Sequence, residues 1–127
     1  MMAGRVENRH ALLAVTFRLS GRPDLAIECV VDTGFTDALC LPAAAVAALG
    51  LPYMFDFPAS LADGTRVLLA VHEATIVWQG TERRAHLPAT GERPLVGTAL
   101  LDETALLDGT ELGVQFAEGG LVTVEAL

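Results

Sequence analysis

The sequence predicts an all-β domain with one or two short helices, arranged as a small closed or sandwiched sheet. Short runs rich in β-branched and aromatic residues recur along the chain at regular spacing, separated by turns that contain Gly or Pro. At 127 residues and 52% hydrophobic content, the chain is long enough to bury one sizeable core. We therefore expect a single domain over residues 1–127, with its core in about residues 11–127.

The first half of the chain predicts three strands and one helix. Residues 11–19 and 25–31 are rich in strand formers and are separated by a cluster of turn residues, which indicates a hairpin. Residues 38–42 predict a third, short strand. Pro42 suits the first turn of a helix, and the run "AAAVAALG" predicts a short helix that ends at Gly50.

The second half predicts a series of hairpins. Asp63 and Gly64 form a strong two-residue hairpin signal between flanking strands. The segments "HEATIVWQG" and "ERRAHLPA" are expected to pair across Gly80 and Thr81. "RPLVGTALLDETALLDG" predicts a short apolar strand, a glycine and a helical turn, and "ELGVQF" pairs with "LVTVEAL" across residues 118–120.

Composition excludes several classes of partner. The formal net charge is −8 and the eight basic residues are scattered, which argues against nucleic acid and against an anionic membrane surface. Residues 38–55 carry no charge, but Pro42, Gly50 and Pro52 interrupt them, so a strand end and a short helix are expected rather than a membrane span. The N-terminal residues lack the pattern of a signal peptide, which predicts a cytoplasmic location.

The cysteines and histidines predict neither a metal site nor a cofactor. Cys29 and Cys40 are too few for a disulfide scaffold or a four-ligand zinc site, and we expect both to be buried free thiols. His10, His72 and His86 match no spacing of metal ligands. No signature of a serine or cysteine hydrolase is present.

The polar sequence Asp32-Thr33-Gly34 lies between two apolar runs. Asp and Gly are common turn residues, and an Asp can accept a hydrogen bond from a backbone N–H two residues on. Here, however, the turn directly follows Val30 and Val31 and precedes "LCLP", so core residues hold its backbone on both sides. An exposed turn carboxylate seldom needs such a setting, so Asp32 is a candidate catalytic group.

The order of three motifs carries a resemblance to a known family. An apolar-apolar-Asp-Thr-Gly turn is followed by the Asp63-Gly64 hairpin and then by "PLVGTALL", over residues 94–101. In this order the chain resembles the retropepsin-like aspartic proteases of clan AA, and most closely their bacterial and archaeal group with Asp-Thr-Gly-Phe. The resemblance covers residues 11–127 and implies the closed, barrel-like fold of a single-lobe aspartic protease.

The resemblance also implies roles for the residues of the Asp32 turn. Asp32 would be the catalytic carboxylate, and the Thr33 hydroxyl would lock two active-site turns together across a dimer. Gly34 would let the backbone approach and hydrogen-bond the carboxylate. Phe35 replaces the small residue common at this position, and would narrow or reshape the substrate channel.

Other segments receive roles from the same resemblance. Leu95, Val96 and Gly97 would form the strand beside the active-site turn, and the hairpin tipped by Asp63 and Gly64 would be the flap over the substrate. The terminal "LVTVEAL" would supply a strand at the dimer interface. Two further departures are Thr98, which stands where retroviral members carry an arginine, and a flap tip that is not glycine-rich.

Peptide hydrolysis by carboxylates requires two such groups that share one proton. This chain has one Asp-Thr-Gly and is too short for two lobes, so the second carboxylate must come from another copy of the chain. The sequence thus predicts a homodimeric aspartic endopeptidase that acts on extended polypeptide. The alternative is a non-catalytic peptide-binding or regulatory module on the same dimeric scaffold.

Overall fold

The computed structural model describes residues 1–102 and 109–127. Over these residues the chain forms short strands and two short helices, which we number in chain order. They are β1 (Met2–Glu7), β2 (His10–Arg18), β3 (Leu25–Val31), β4 (Leu39–Cys40), α1 (Ala43–Leu49), β5 (Tyr53–Ser60), β6 (Arg66–Trp78), β7 (Thr81–Pro88), β8 (Leu95–Val96), α2 (Thr98–Leu101), β9 (Thr110–Val114) and β10 (Leu121–Ala126).

The strands belong to one highly branched sheet. Its main path runs in the order β4-β8-β3-β2-β1-β10-β9, and β6 joins this path at β2 and carries β5 and β7. Among the described residues, the circuit β4-β8-β3-β2-β6-β7 returns to its start through an isolated bridge between Leu41 and Ala89, which directly follow β4 and β7. The prediction of an all-β fold is confirmed, but the sheet is not closed into a true barrel, because this bridge is isolated and not part of a ladder.

The main core lies between the faces of this bent sheet. Strand β2 alternates buried and more exposed residues, as a strand with one face on a core must, and places Leu13, Val15 and Phe17 inside. Trp78 of β6 and Leu39 of β4 are also buried and belong to the same cluster. This packing fixes the position of the strand ends around the Asp32 turn.

Several predicted elements are found where the sequence placed them. Helix α1 covers Ala43–Leu49 and ends at Gly50, whose φ of 64° is the left-handed conformation that glycine tolerates best. The predicted hairpin partner strands β2 and β3 pair antiparallel from Leu12 opposite Val30 to Phe17 opposite Leu25. Helix α2 is the predicted helical turn, and the remainder of that predicted segment, residues 103–108, lies outside the described residues.

Two predicted hairpins differ in detail. Strand β6 is one continuous strand of 13 residues rather than two, because its first half pairs with β5 and its second half with β7. The turn after it is Gln79-Gly80, one residue earlier than predicted, and both residues have positive φ (52° and 75°). Two consecutive residues with positive φ are typical of a two-residue hairpin turn, whose twist matches that of the flanking strands. Trp78 and Thr81, on either side of this turn, are accordingly paired.

The N-terminal strand β1 was not predicted. It pairs with β2 on one side and with β10 on the other, with Ala3 opposite Thr123 and Val6 opposite Ala11. Within the single chain the C-terminal segment is therefore covered on both sides, and its role as a strand at a dimer interface stays a prediction. Strand β10 lies between β1 and β9, and its Val122 and Val124 are fully buried.

Within residues 1–102 and 109–127, no helix is long and apolar enough to cross a membrane.

Candidate active site

The Asp32 turn, residues 32–38, connects β3 to β4 around the end of β8. Strand β8 lies between them, parallel to β3 and antiparallel to β4, so that Val96 is opposite both Val31 and Leu39. The chain therefore enters the turn on one side of β8 and leaves it on the other. This arrangement explains why short apolar runs flank the turn: both lie beside β8, with Leu39 and Cys40 buried and Val30 and Val31 half-buried.

Hydrogen bonds fix Asp32 at the end of β3. Its backbone N–H donates to the Val96 carbonyl oxygen at 2.9 Å, and its own carbonyl oxygen accepts from the Phe35 N–H at 3.1 Å. Its carboxylate oxygen Oδ1 accepts from the Gly34 N–H at 2.9 Å. The side chain is half-buried, while Thr33 and Gly34 are exposed, so the carboxylate lies at the surface end of a rigid turn.

Gly97 and Thr98 hold the far side of the turn. A Cβ atom on Gly97 would lie 2.6 Å from both Cδ2 and the carbonyl oxygen of Phe35, and closer still to the Asp37 carbonyl oxygen, so only glycine fits. The Gly97 N–H donates to the Ala38 carbonyl oxygen at 2.9 Å. The Thr98 N–H and hydroxyl both donate to the Phe35 carbonyl oxygen, at 2.9 and 3.4 Å. Thr98 thus holds the turn by hydrogen bonds, at the position where, by the resemblance, retroviral members carry an arginine.

The flap hairpin consists of β5, residues 61–65 and the first half of β6. Its strands pair from Phe55 opposite Val71 to Ser60 opposite Arg66. Strand β7 pairs with β6 only from Val71 onward, so the part of the hairpin nearer the tip projects as a two-stranded arm. Its residues are largely exposed, which indicates that it is held mainly by its own ladder.

The connection at the tip of the flap hairpin is longer than the two residues that the sequence predicted. The Gly64 N–H donates to the Leu61 carbonyl oxygen at 2.9 Å, and the Leu61 N–H donates to the Thr65 carbonyl oxygen at 2.7 Å. Three residues, 62–64, therefore lie between Leu61 and Thr65, the last hydrogen-bonded pair. Gly64 takes the left-handed conformation, with a φ of 86°. The Thr65 N–H, whose hydrogen bond to Asp63 Oδ1 is 2.8 Å long, lowers the pKa of Asp63.

A groove of about 340 Å³ runs beneath the flap hairpin and beside the Asp32 turn. Its surface is mainly apolar, with aromatic rings from the Asp32 turn and from β5. It is lined by Phe35, Asp37, Phe55, Phe57, Ala59, Leu69, Val71, His86, Pro88 and Thr90. Phe35 and Asp37 are the residues of the Asp32 turn that line the groove, whereas Asp32, Thr33 and Gly34 are not among the described residues that line it.

The structure brings together most of the residues that the sequence singled out. Asp32, Thr33, Gly34 and Phe35 form one turn, and the segment 95–97 runs beside it. Asp63 and Gly64 instead lie at the tip of the flap hairpin and are not among the described residues that line the groove.

Sequence reasoning missed the residues that form the wall of the groove. Phe55 and Phe57 are two positions apart in β5 and point to the same face, a period-two signal that was available in the sequence. His86 gave no such signal. It reaches the groove because β7 pairs with β6, which places its ring 5.6 Å from that of Phe55 and edge-on to it.

The cysteines and histidines have structural settings. Cys29 and Cys40 are buried free thiols, as predicted, and burial raises the pKa of Cys29 to about 12. His72 Nδ1 lies 2.9 Å from the Leu51 carbonyl oxygen, and His86 Nε2 lies 3.7 Å from Glu73 Oε2. Among the described residues, no three His, Cys, Asp or Glu side chains are grouped to hold a metal ion.

The fold is that of a single-lobe, retropepsin-like domain, and the solved structures that share it include the following two. One is the EIAV protease in complex with an inhibitor, with a TM-score of 0.53 and 16% identity over 77% of this chain and 90% of that one. The other is a retropepsin-like aspartic protease from Rickettsia conorii, with a TM-score of 0.52 and 17% identity over 98% and 95% of the two chains.

No protein-family model and no curated protein matches the sequence. At identities this low, the two structures show the fold alone. They confirm the predicted single-lobe fold, while membership of the Asp-Thr-Gly-Phe group stays a prediction.

Proposed function

We propose that this chain is a homodimeric aspartic endopeptidase in which Asp32 is the catalytic carboxylate. The observation that carries the proposal is the setting of Asp32: a half-buried carboxylate on a turn held by β8, Gly97 and Thr98, in which Phe35 and Asp37 line an apolar groove together with residues of the hairpin arm. A turn carboxylate with only a structural role needs neither the groove nor the arm.

The chemistry requires Asp32 from each of two chains. With one proton shared by the pair, the ionised carboxylate removes a proton from water while the protonated one donates to the carbonyl oxygen of the scissile bond. The water oxygen adds to the carbonyl carbon to give a gem-diol. A proton is then transferred to the amide nitrogen, the C–N bond breaks, and a carboxylic acid and an amine leave.

The substrate suited to this site is an extended polypeptide. The groove is open along the flap hairpin, and its wall consists of Phe55, Phe57 and Leu69, which form a face for apolar side chains. An extended segment can also form backbone hydrogen bonds with a strand edge, as in β-augmentation. Thr33 and Gly34, which are exposed beside Asp32, are the residues that we assign to the contact with the partner chain.

The test compares the wild-type chain with Asp32→Asn on unfolded casein from acid to neutral pH. The asparagine keeps the size and the acceptor for the Gly34 N–H but cannot take the proton from water. Wild-type cleavage should be bell-shaped in pH, because only the singly protonated pair is active. Asp32→Asn should reduce cleavage to background.

Equal cleavage by both proteins would show that the activity belongs to a contaminant. If neither protein cleaves but both bind unfolded polypeptide, the chain is a peptide-binding module on this scaffold.

A further inference from the structure

The groove beside the Asp32 turn contains a charged side chain that the chain itself leaves unpaired. Asp37, which belongs to this turn, is exposed and lines the groove. Within residues 1–102 and 109–127, its carboxylate has no hydrogen bond and no ion pair. Both carboxylate oxygens are therefore available as acceptors to a group that enters the groove.

The groups next to Asp37 do not balance its charge. Burial above all, and the Asp37 carboxylate in addition, raise the pKa of the Cys40 thiol, which therefore stays neutral. His86 also lines the groove, but its Nε2 lies 3.7 Å from Glu73 Oε2, so this imidazole has a carboxylate of its own. In the described part of the chain, the negative charge of Asp37 thus lies at the groove without a counter-charge.

The rest of the groove suits a long aliphatic chain. Phe35 comes from the same turn as Asp37, while Phe55 and Phe57 come from β5 and are 42% and 55% exposed. Aromatic rings offer apolar surface to methylene groups and also attract a cation to their faces. Three phenyl rings and one carboxylate therefore provide both contacts that a lysine or arginine side chain needs, an apolar surface for its stem and an anion for its head.

Other side chains suit this groove less well. A leucine would cover the rings, but it would displace water from the Asp37 carboxylate without offering a donor, which costs free energy. A glutamate would place a second negative charge beside Asp37. The formal net charge of −8 adds a long-range attraction for basic polypeptides. The charge and the lining of the groove thus favour the same kind of side chain.

We infer that the groove selects a lysine or arginine side chain of the polypeptide substrate, with its aliphatic stem on the three phenyl rings and its charged head paired with Asp37. The inference rests on the protease function proposed above and names the substrate class of the same site. Asp37 then determines specificity, whereas Asp32 carries out the hydrolysis. The cleaved bonds lie close to a basic residue.

Cleavage of matched peptides tests this selection. A short, uncharged, extended peptide carries lysine, norleucine or glutamate at each position in turn; norleucine has an aliphatic stem like that of lysine but no charge. At about pH 6, the wild-type kcat/KM for the lysine peptide should exceed that for the norleucine peptide by about fivefold at one position, and the glutamate peptide should be cleaved most slowly. In Asp37→Asn the lysine-to-norleucine ratio should fall below about twofold.

Asp24→Asn is the matched control. It removes the same charge from another exposed aspartate, in the β2–β3 turn, where Asp24 Oδ2 lies 3.6 Å from Arg18 Nε. Asp24 is not among the described residues that line the groove, so this variant should keep the wild-type ratio. Equal loss of the ratio in both variants would show that the net charge of the chain makes the selection, and would overturn the role of Asp37.

Peptide binding to Asp32→Asn separates this inference from the proposed function. By calorimetry, this variant should bind the lysine peptide about fivefold more tightly than the norleucine peptide, and the added substitution Asp37→Asn should remove the difference. Cleavage by the wild type with no preference for lysine at any position would overturn the inference and leave the protease function standing. Binding that prefers lysine through Asp37, without any cleavage by the wild type, would do the reverse. Neither cleavage nor selective binding would overturn both.

Discussion

The Asp32 turn and the tip of the flap hairpin share the same local motif but differ in everything around it. In each, an aspartate Oδ1 accepts a hydrogen bond from the backbone N–H two residues on, at 2.9 Å from Gly34 and at 2.8 Å from Thr65. The first turn is held from outside by β8 and by Gly97, whereas the hydrogen bonds found for the second, within the described part of the chain, all lie in its own hairpin. The same hydrogen bond from a backbone N–H to an aspartate thus occurs in a turn that neighbouring segments hold rigid and at the tip of a projecting arm.

This difference suits the proposed function. A catalytic carboxylate must be held in place before the substrate arrives, so the rigid turn suits Asp32. A hairpin that covers a groove must move to admit a polypeptide, and the projecting arm has few contacts to break. Substitutions of one glycine in each region separate the two properties.

Gly97→Ala should have the largest effect on stability. The added Cβ would lie 2.6 Å from the Phe35 carbonyl oxygen and closer still to the Asp37 carbonyl oxygen, and these backbone groups cannot turn aside. We expect the free energy of unfolding, measured with urea, to fall by about 3 kcal/mol. Thr98→Val, which loses only the 3.4 Å hydroxyl contact to Phe35, is the control and should cost about 0.5–1 kcal/mol. Equal small losses in both variants would show that the turn is not held tightly by this segment.

Gly64→Val should act on turnover more than on global stability. No atom lies within 4 Å of a Cβ at this position, but the φ of 86° strains any residue other than glycine. Strain of about 1.4 kcal/mol in the closed flap raises the activation free energy by the same amount, so we expect kcat/KM to fall about tenfold. Gly21→Val carries similar strain, with φ 69° and no atom within 4 Å, in the β2–β3 turn, and should leave kcat/KM unchanged. A loss of the folded circular-dichroism signal in Gly64→Val alone would show that the hairpin is part of the core rather than a lid.

The smallest expected effect is the pH dependence of the flap tip. The hydrogen bond from the Thr65 N–H lowers the pKa of Asp63 below its usual value of 3.8. Because the pKa is lowered in the folded turn, the ionised carboxylate stabilises the turn at pH values above 3.8. This stabilisation disappears as the pH falls through the lowered pKa. Amide exchange at Thr65, corrected for its intrinsic rate, should stay slow down to about pH 4 and accelerate below it.

In Asp63→Asn the same profile should be flat. Acceleration in the wild type already above about pH 5 would contradict the assignment of this hydrogen bond.

Much of the fold could be predicted because its signals are local. Alternating apolar residues identified β2, and Gly50 marked the end of α1. Strand β1 could not be found in this way. It buries few apolar side chains, and its turn to β2 consists of Asn8 and Arg9, both with positive φ, where glycine would have given the signal.

The candidate site was predictable in part for the same reason. Asp32, Thr33 and Gly34 form a contiguous motif, and a resemblance of motif order placed the segment 95–97 beside it. The groove wall was not predictable, because Phe55 and His86 meet only through the pairing of β5, β6 and β7. The pairing of β10 with β1 could not be predicted either, because β1 itself gave no signal in the sequence.

The central claim is that one catalytic centre needs Asp32 from two chains, and subunit mixing tests it most directly. Wild type and Asp32→Asn are mixed in varying proportion at a fixed total concentration, allowed to re-equilibrate, and assayed on casein. If only the wild-type pair is active, an equal mixture should retain about a quarter of the wild-type activity, and the curve should follow the square of the wild-type fraction. An equal mixture that retains about half, along a straight line, would show that each chain carries its own centre and would contradict this account.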